Sequence, residues 1–175
     1  MAKYSVTGQE SGASDAPHIT LVRGEYLCTF GVTPNDVLKR HRAAQDGIEL
    51  MVPTRIMEAG NRFEPAARGW YEDDFNVKID HPDKGFRNEY CNLVASLDGI
   101  IDAKNLAVED YLGVTHILNG LVNWELKIPG RKSPQPDRID RAIQVQAQMD
   151  CIGCDYTIIA ELPRSDLNWN IAVVK

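Results

Sequence analysis

In the segment Leu121–Ile128, reading LVNWELKI, apolar and polar side chains alternate from Val122 onward. A period of two is the mark of a β-strand, with Val122, Trp124, Leu126 and Ile128 on one face and Asn123, Glu125 and Lys127 on the other. Pro129-Gly130 ends it. Upstream the period changes. From Thr54, Ile56, Ala59, Phe63, Ala67, Trp70 and Tyr71 recur at three- and four-residue spacing, the pattern of an amphipathic helix. Pro65 falls inside this helix and is expected to kink it or to begin a new turn. A chain that carries both patterns must bury the helix stripe and the strand face against one another.

The remaining segments extend the same plan. Thr33-Pro34-Asn35-Asp36 is a helix start, with Thr33 as cap, Pro34 in the first turn and Asp36 complementing the dipole, and that helix is expected to run to about Gln45. Short strands are expected at Val77–Asp80, Tyr90–Leu97 and Gly99–Asp102. The stretch Ala103–Asn119 reads as a loop or short helix inserted between strands. After the Pro-rich turn Ser133–Pro136, a helix is expected from about Asp137 to Cys151 with Gly153 as its stop. Strands at Tyr156–Leu162 and Trp169–Val174 complete an α/β (or α+β) single domain, residues 1–175, around a central sheet.

Composition excludes several classes. No apolar run approaches the roughly 18 residues of a membrane span, and the start MAKYSVTGQE has no apolar core of a secretory signal. Four irregularly spaced cysteines in 175 residues do not make a disulfide framework, so a reducing, cytoplasmic location is expected. The net charge of −6 argues at first against nucleic acid. The excess, however, is local: residues 70–125 hold 11 acids against four bases, and the rest of the chain has 15 bases against 14 acids. Basic groups gather at Lys39–Arg42 and Arg131–Arg141, either as solvated helix faces or as phosphate contacts on both sides of an acidic centre.

Three carboxylates stand out. Glu125 and Lys127, side by side on the polar face of the strand, read either as a surface ion pair or as a ligand for a hard cation beside a lysine that activates water. Asp98, in LVASLDGII, belongs either to an Asp-Gly hairpin turn or to a site. Glu64, in GNRFEPAARGWYE, is either an exposed helix carboxylate or a third acid. An acid on a helix, an Asp at a strand end and Glu-x-Lys on the next strand are the ordered parts of a metal-dependent phosphodiesterase, in which clustered carboxylates hold Mg²⁺.

These residues resemble the PD-(D/E)XK nuclease core, and their flanks resemble its YqaJ/lambda-exonuclease branch of phage recombination nucleases. Gly60, Glu64, Pro65, Ala67, Arg68 and Tyr71 match the branch's Gly-x-x-x-Glu-Pro-x-Ala-Arg helix with its Tyr. Asp98-Gly99 matches the Asp-Gly that closes an apolar segment. Glu125, Lys127 and Pro129 match Glu-x-Lys with a nearby Pro, and Gln144, Val145, Gln146, Met149 and Gly153 match the Gln-Val-Gln-x-x-Met helix. Ser11–Pro17 and Thr33-Pro34 are similar to the N-terminal Gly-x-Ser-Asp segment and Thr-Pro helix start.

The resemblance implies a restriction-endonuclease-like core, a central mixed β-sheet flanked by helices. It implies a Mg²⁺-dependent exonuclease on linear double-stranded DNA, with Mn²⁺ as a substitute. The same core in an endonuclease, or an inactive DNA- or protein-binding module, is the alternative. Asp98, Glu125 and the Leu126 carbonyl would be metal ligands, supported by Glu64, with Lys127 activating the water. Gln144 would hold water or phosphate, or lie on a solvated helix face. DNA contacts would come from Ser14, Arg131, Lys132, Arg141 and Gln148, and the partners would be duplex ends, a single-strand annealing protein and copies of the chain in a trimer. Three positions depart from the pattern. Leu97 stands where the family often has Pro, 26 residues separate Asp98 from Glu125, and Gln9 and Glu10 stand where an arginine commonly binds the 5′-phosphate. Cys151-x-x-Cys154 lacks the second pair a zinc site needs and is read as free thiols.

Overall fold

The computed structural model describes residues 55–88, 90 and 93–175, with residues 11, 12, 16, 38, 39, 42, 43 and 46 upstream. Of the helix expected over 34–45, residues 38, 39, 42 and 43 are described and are helical. Its start at Thr33-Pro34, most of Ser11–Pro17, and Cys28 and Cys91 lie outside the described residues. The chain divides into two compact units, one of residues 1–52, 83–96 and 138–153 and the other of residues 53–82, 97–137 and 154–175.

In the first unit, β1 (Ser11–Gly12) runs parallel to β3 (Leu93–Ala95), and β2 (Phe86–Asn88) runs antiparallel to it. The unit also holds the helix α2 (Ile139–Ile152), whose boundaries match the expected ones closely. Gly153 ends α2 at φ 67°, a left-handed backbone that favours glycine, and its N–H caps the Met149 carbonyl. Asn88 Nδ2 donates to the Asp150 carbonyl at 3.1 Å and ties β2 to the end of this helix. The strand expected over Tyr90–Leu97 is shorter than its pattern suggested, and Tyr90 stands fully exposed in a turn.

In the second unit, a four-stranded mixed sheet has the order β4-β5-β6-β7, with β4 at Gly99–Glu109, β5 at Thr115–Lys127, β6 at Tyr156–Glu161 and β7 at Asn170–Val174. β5 and β6 are parallel, and the other two pairs are antiparallel. The helix α1 (Arg55–Phe75) packs on this sheet and runs unbroken through Pro65, where a kink or a new turn was expected. Its stripe places Ala67 and Tyr71 in the same core as Val122, Trp124, Leu118, Ile158 and Leu162. Tyr71 stacks on Phe75 at 4.3 Å and meets Trp124 and Trp169 edge-on at 5.4 and 5.0 Å. Burial pushes the Tyr71 hydroxyl above the usual phenol range, so it is a neutral core residue.

The strand expected over Val77–Asp80 is reduced to an isolated bridge between Asp80 and Ile100, and two larger expectations change as well. Ala103–Asn119 is neither a loop nor a helix. It continues β4 and β5 into one long hairpin whose turn is Asp110–Val114. A β-bulge between Ala103 and Leu106, with Asn105 at φ 53°, shifts the inward face from odd to even residues, and this slip hides the strand from a period-two reading. The polar face of β5 is also not a solvent face. Over 122–126 both faces of β5 are covered, and Asn123 and Glu125 are buried like Trp124, while its first half is mostly exposed. Asn123 pays its desolvation through Thr157 on β6, donating Nδ2 to Oγ1 at 3.1 Å.

The hairpin turn is built on one carboxylate. Asp110 accepts the Leu112 and Val114 N–H groups at 2.9 and 3.0 Å and pairs with His116 Nε2 at 2.8 Å. His116, joined by the two backbone N–H groups, holds the Asp110 carboxyl below its ordinary range. A depressed carboxylate stabilises the fold above its unfolded pKa of about 4 and loses that effect as pH falls. Asp110→Ala is expected to cost about 1 kcal/mol at pH 7, from its lost turn bonds. The gap between the two proteins in thermal unfolding should narrow as pH falls below about 4 and the depressed Asp110 carboxyl takes up its proton.

Candidate active site

The site begins where β4 runs out. Gly99 faces Trp124 across the sheet, and beyond that pair β5 has no further partner residue on β4. Asp98 fills the place of the missing strand, its Oδ2 accepting the Leu126 N–H at 2.9 Å. Asp98-Gly99 is therefore a strand entry and not a hairpin turn. The glycine is required by close packing, since a Cβ there would stand 2.2 Å from Ile79 Cγ2 and 3.2 Å from Trp124. The entry is pinned from the other side by the reciprocal Asp80–Ile100 backbone bonds, both 2.9 Å, and by His81 Nδ1 at 3.1 Å from the Asp98 carbonyl.

Glu125 is buried, and Lys127, two residues along the same face, donates its Nζ to Glu125 Oε1. The Lys127 carbonyl takes the Leu162 N–H on the β6 side at 2.8 Å. Carbonyls alternate sides along a strand, so the Leu126 carbonyl faces the Asp98 side together with its own N–H. Glu64 comes from α1 and is held by Arg68 at 3.6 Å, an i,i+4 pair.

Glu64, Asp98, Glu125, Leu126 and Lys127 line one open cavity of about 450 Å³, together with Gly60, Asn61 and Ile128. Asp98 is held well above the ordinary carboxylate range, first by burial and then by Glu125 beside it. Lys127 and the Leu126 N–H pull in the opposite direction, and Glu64 adds a smaller push upward. Converging carboxylates of this kind attract a cation. All the donors are oxygens, which suits a hard ion. Among the described residues no three acid, histidine or cysteine side chains converge tightly enough to cage a metal by themselves. A Mg²⁺ held by one or two carboxylates and completed by water needs no such cage.

The other expected residues are not among those that line this cavity. Gln144, Arg141 and Gln148 belong to α2 in the first unit, with Gln144 and Arg141 half-buried and Gln148 buried. Arg131 and Lys132 are exposed on the segment after β5. That segment is anchored by the buried Glu161, which accepts the Ser133 N–H at 2.5 Å, and by Asn170, which donates to the Ser133 carbonyl at 2.9 Å. Ser14 lies outside the described residues. Asn61 and His81 were missed from the sequence. Asn61 stands three residues before Glu64, a helix spacing that places both on one face and could have disclosed it. His81 is brought to Asp98 by tertiary pairing alone.

The mixed sheet and α1 gather three carboxylates and a lysine where β4 begins and β5 ends, and the family match makes the chain a nuclease. The chain belongs to the family of YqaJ-like viral recombinase domains, whose profile matches residues 12–155. Among solved structures it is similar to LHK-Exo in complex with dAMP, with 16% identity, TM-score 0.66, and coverage of 97% of this chain and 78% of that one. The alkaline exonuclease LHK-Exo from Laribacter hongkongensis matches at 14% identity and TM-score 0.61, covering 98% of this chain and 79% of that one. A phage-related exonuclease from Haemophilus somnus matches at 14% identity and TM-score 0.59, covering 95% and 84%. A comparison with curated proteins returns no match.

Proposed function

We propose that this chain is a Mg²⁺-dependent exonuclease that hydrolyses linear double-stranded DNA from its ends, in phage-type recombination. The observation that carries this reading is the meeting of Asp98, Glu125, Lys127 and Glu64 in one open cavity. Asp98, Glu125 and the Leu126 carbonyl would hold the ion, with Glu64 as support. When bound, Mg²⁺ polarises the phosphodiester and lowers the pKa of a water beside it; Mn²⁺ would substitute. Lys127 orients that water and offsets charge on the phosphate as the P–O bond breaks. Arg131 and Lys132, exposed on the segment that leaves the site strand, meet the DNA backbone, as would Arg141 and Ser14, whereas Gln148 is buried and is withdrawn as a DNA contact. Gln144 holds water or a phosphate oxygen. Support also comes from the family and from a fold neighbour solved with a deoxynucleoside monophosphate, the product class of an exonuclease. Duplex ends are the substrate, and a single-strand annealing protein and a homotrimer are the proposed assembly.

The test compares linear and circular duplex DNA, with 5′-phosphate or 5′-hydroxyl ends, in Mg²⁺ and in chelator. Mononucleotide release from linear DNA alone, abolished by chelator, is the expected result. Cleavage of the circle identifies an endonuclease instead, and no cleavage of either identifies a binding module. End dependence reports whether the 5′-phosphate is read without the family's arginine.

A further inference from the structure

Next to the carboxylate cavity lies a smaller hollow of about 160 Å³, lined by Ala59, Gly60, Phe63, Ile128 and Arg164. Gly60 and Ile128 line both spaces, so the two adjoin. Ala59, Gly60 and Phe63 share one face of α1, while Glu64, next to Phe63, lines the carboxylate cavity. Phe63 is held edge-on to Trp70, with ring centroids 5.5 Å apart. Arg164 lies over the turn that ends β5, its Nη2 3.7 Å from where a Cβ of Gly130 would stand.

The walls are hydrocarbon except for that guanidinium. The volume matches a single aromatic ring, since an apolar cavity of about 150 Å³ takes up benzene. A phosphodiester in the carboxylate cavity has its nucleoside one sugar away. A base unstacked there exposes a π-face, for which aromatic rings and guanidinium planes are the usual partners. We propose that the hollow is a nucleobase subsite: it receives the base of a nucleotide flanking the scissile phosphate, against Phe63 and beneath Arg164. This rests on the phosphodiesterase reading of the adjoining cavity and adds a base-binding element to it. Arg164 supplies donors, and no side chain of the wall supplies an acceptor. The subsite therefore grips a base by stacking and reads none of its edges: a pyrimidine fills it, and a purine enters with one of its two rings.

Gly60→Leu tests the subsite. A Cβ at Gly60 meets nothing within 4 Å, so a side chain can be added there; because Gly60 borders both spaces, each rate is read against intact DNA in the same variant. The leucine also replaces a mid-helix glycine with a strong helix former. In chelator, wild type is expected to bind thymidine 5′-monophosphate about tenfold more tightly than 2-deoxyribose 5-phosphate, and Gly60→Leu to bind the two alike. Duplexes with an abasic nucleotide on either side of the terminal phosphodiester give the second readout. One of them should be cleaved about tenfold more slowly than intact DNA by wild type and equally by Gly60→Leu. Arg164→Ala, a surface change, should reduce the base preference in part and decides the matter if the leucine variant fails to fold. Equal binding of nucleotide and sugar phosphate by wild type, or an undiminished preference in the variants, overturns the subsite. Base-dependent binding without cleavage overturns the nuclease reading alone; base-independent cleavage overturns the subsite alone.

Discussion

Lys127→Ala is expected to slow cleavage of linear duplex DNA by a factor on the order of 10²–10⁴, the range for loss of a positioned proton-transfer group. The lysine also has a structural task, because its ammonium is bonded to the buried carboxylate of Glu125. Deleting it leaves that charge without its partner, which lowers stability as well as activity. Lys127→Gln separates the two effects. It keeps a donor beside Glu125 and loses the charge, so its thermal midpoint should lie closer to that of wild type while the rate stays depressed. Arginine should not restore the rate, since a planar guanidinium that never deprotonates cannot replace a compact ammonium at the reacting phosphate. Full activity in the alanine variant would exclude Lys127 from the chemistry.

Asp98→Asn should move activity and stability in opposite directions. Cleavage is expected to fall below detection, because the carboxylate is a proposed ligand. Thermal stability in chelator is expected to rise by a few degrees. Asp98 is held above its ordinary range by burial and by Glu125, so its ionised form costs the fold free energy. The sign follows from linkage. A raised carboxylate costs nothing below its unfolded pKa of about 4 and progressively more as pH rises above it. The two proteins should therefore melt together at pH 4 and diverge toward pH 7. Asparagine can still accept the Leu126 N–H, so the strand entry survives. Millimolar Mg²⁺ should then raise the midpoint of wild type and leave Asp98→Asn unmoved, because only binding to the folded state stabilises. Equal shifts in both proteins would remove Asp98 from the metal site. Together these outcomes would mark Asp98 as a residue kept for function at the expense of stability.

How far the sequence could be read depended on the range of each signal. The 3.6-residue stripe of α1 and the end of α2 at Gly153 are local, and both stand where the pattern placed them. Glu64, Asp98, Glu125 and Lys127 were picked out from ordered motifs, and the structure brings the four to one cavity. The β4–β5 hairpin escaped because its periodicity is interrupted. Ile101 and Ala103 point inward, the bulge follows, and Leu106 and Val108 continue on the opposite parity. Pro65 failed as a breaker because α1 is held by packing against the sheet, which outweighs the loss of one helix bond.

Charge followed the same division. The excess of acid between residues 70 and 125 was plain from the sequence, but which of those acids are solvated and which are buried was not. Asp102 and Glu109 stand exposed on β4 while Glu125 is buried beside Asp98, a difference made by the neighbouring strands. By itself the sequence determined the chemistry available, an ordered set of acids with one lysine, and the local elements that carry them. Only the tertiary structure decided that Asp98 closes the end of β5 by accepting the Leu126 N–H, that His81 and Asn61 stand beside it, and that an apolar hollow adjoins the site. The physical reason is that a carboxylate-to-backbone bond across 28 residues and the burial of that carboxylate depend on neighbours that no local pattern names.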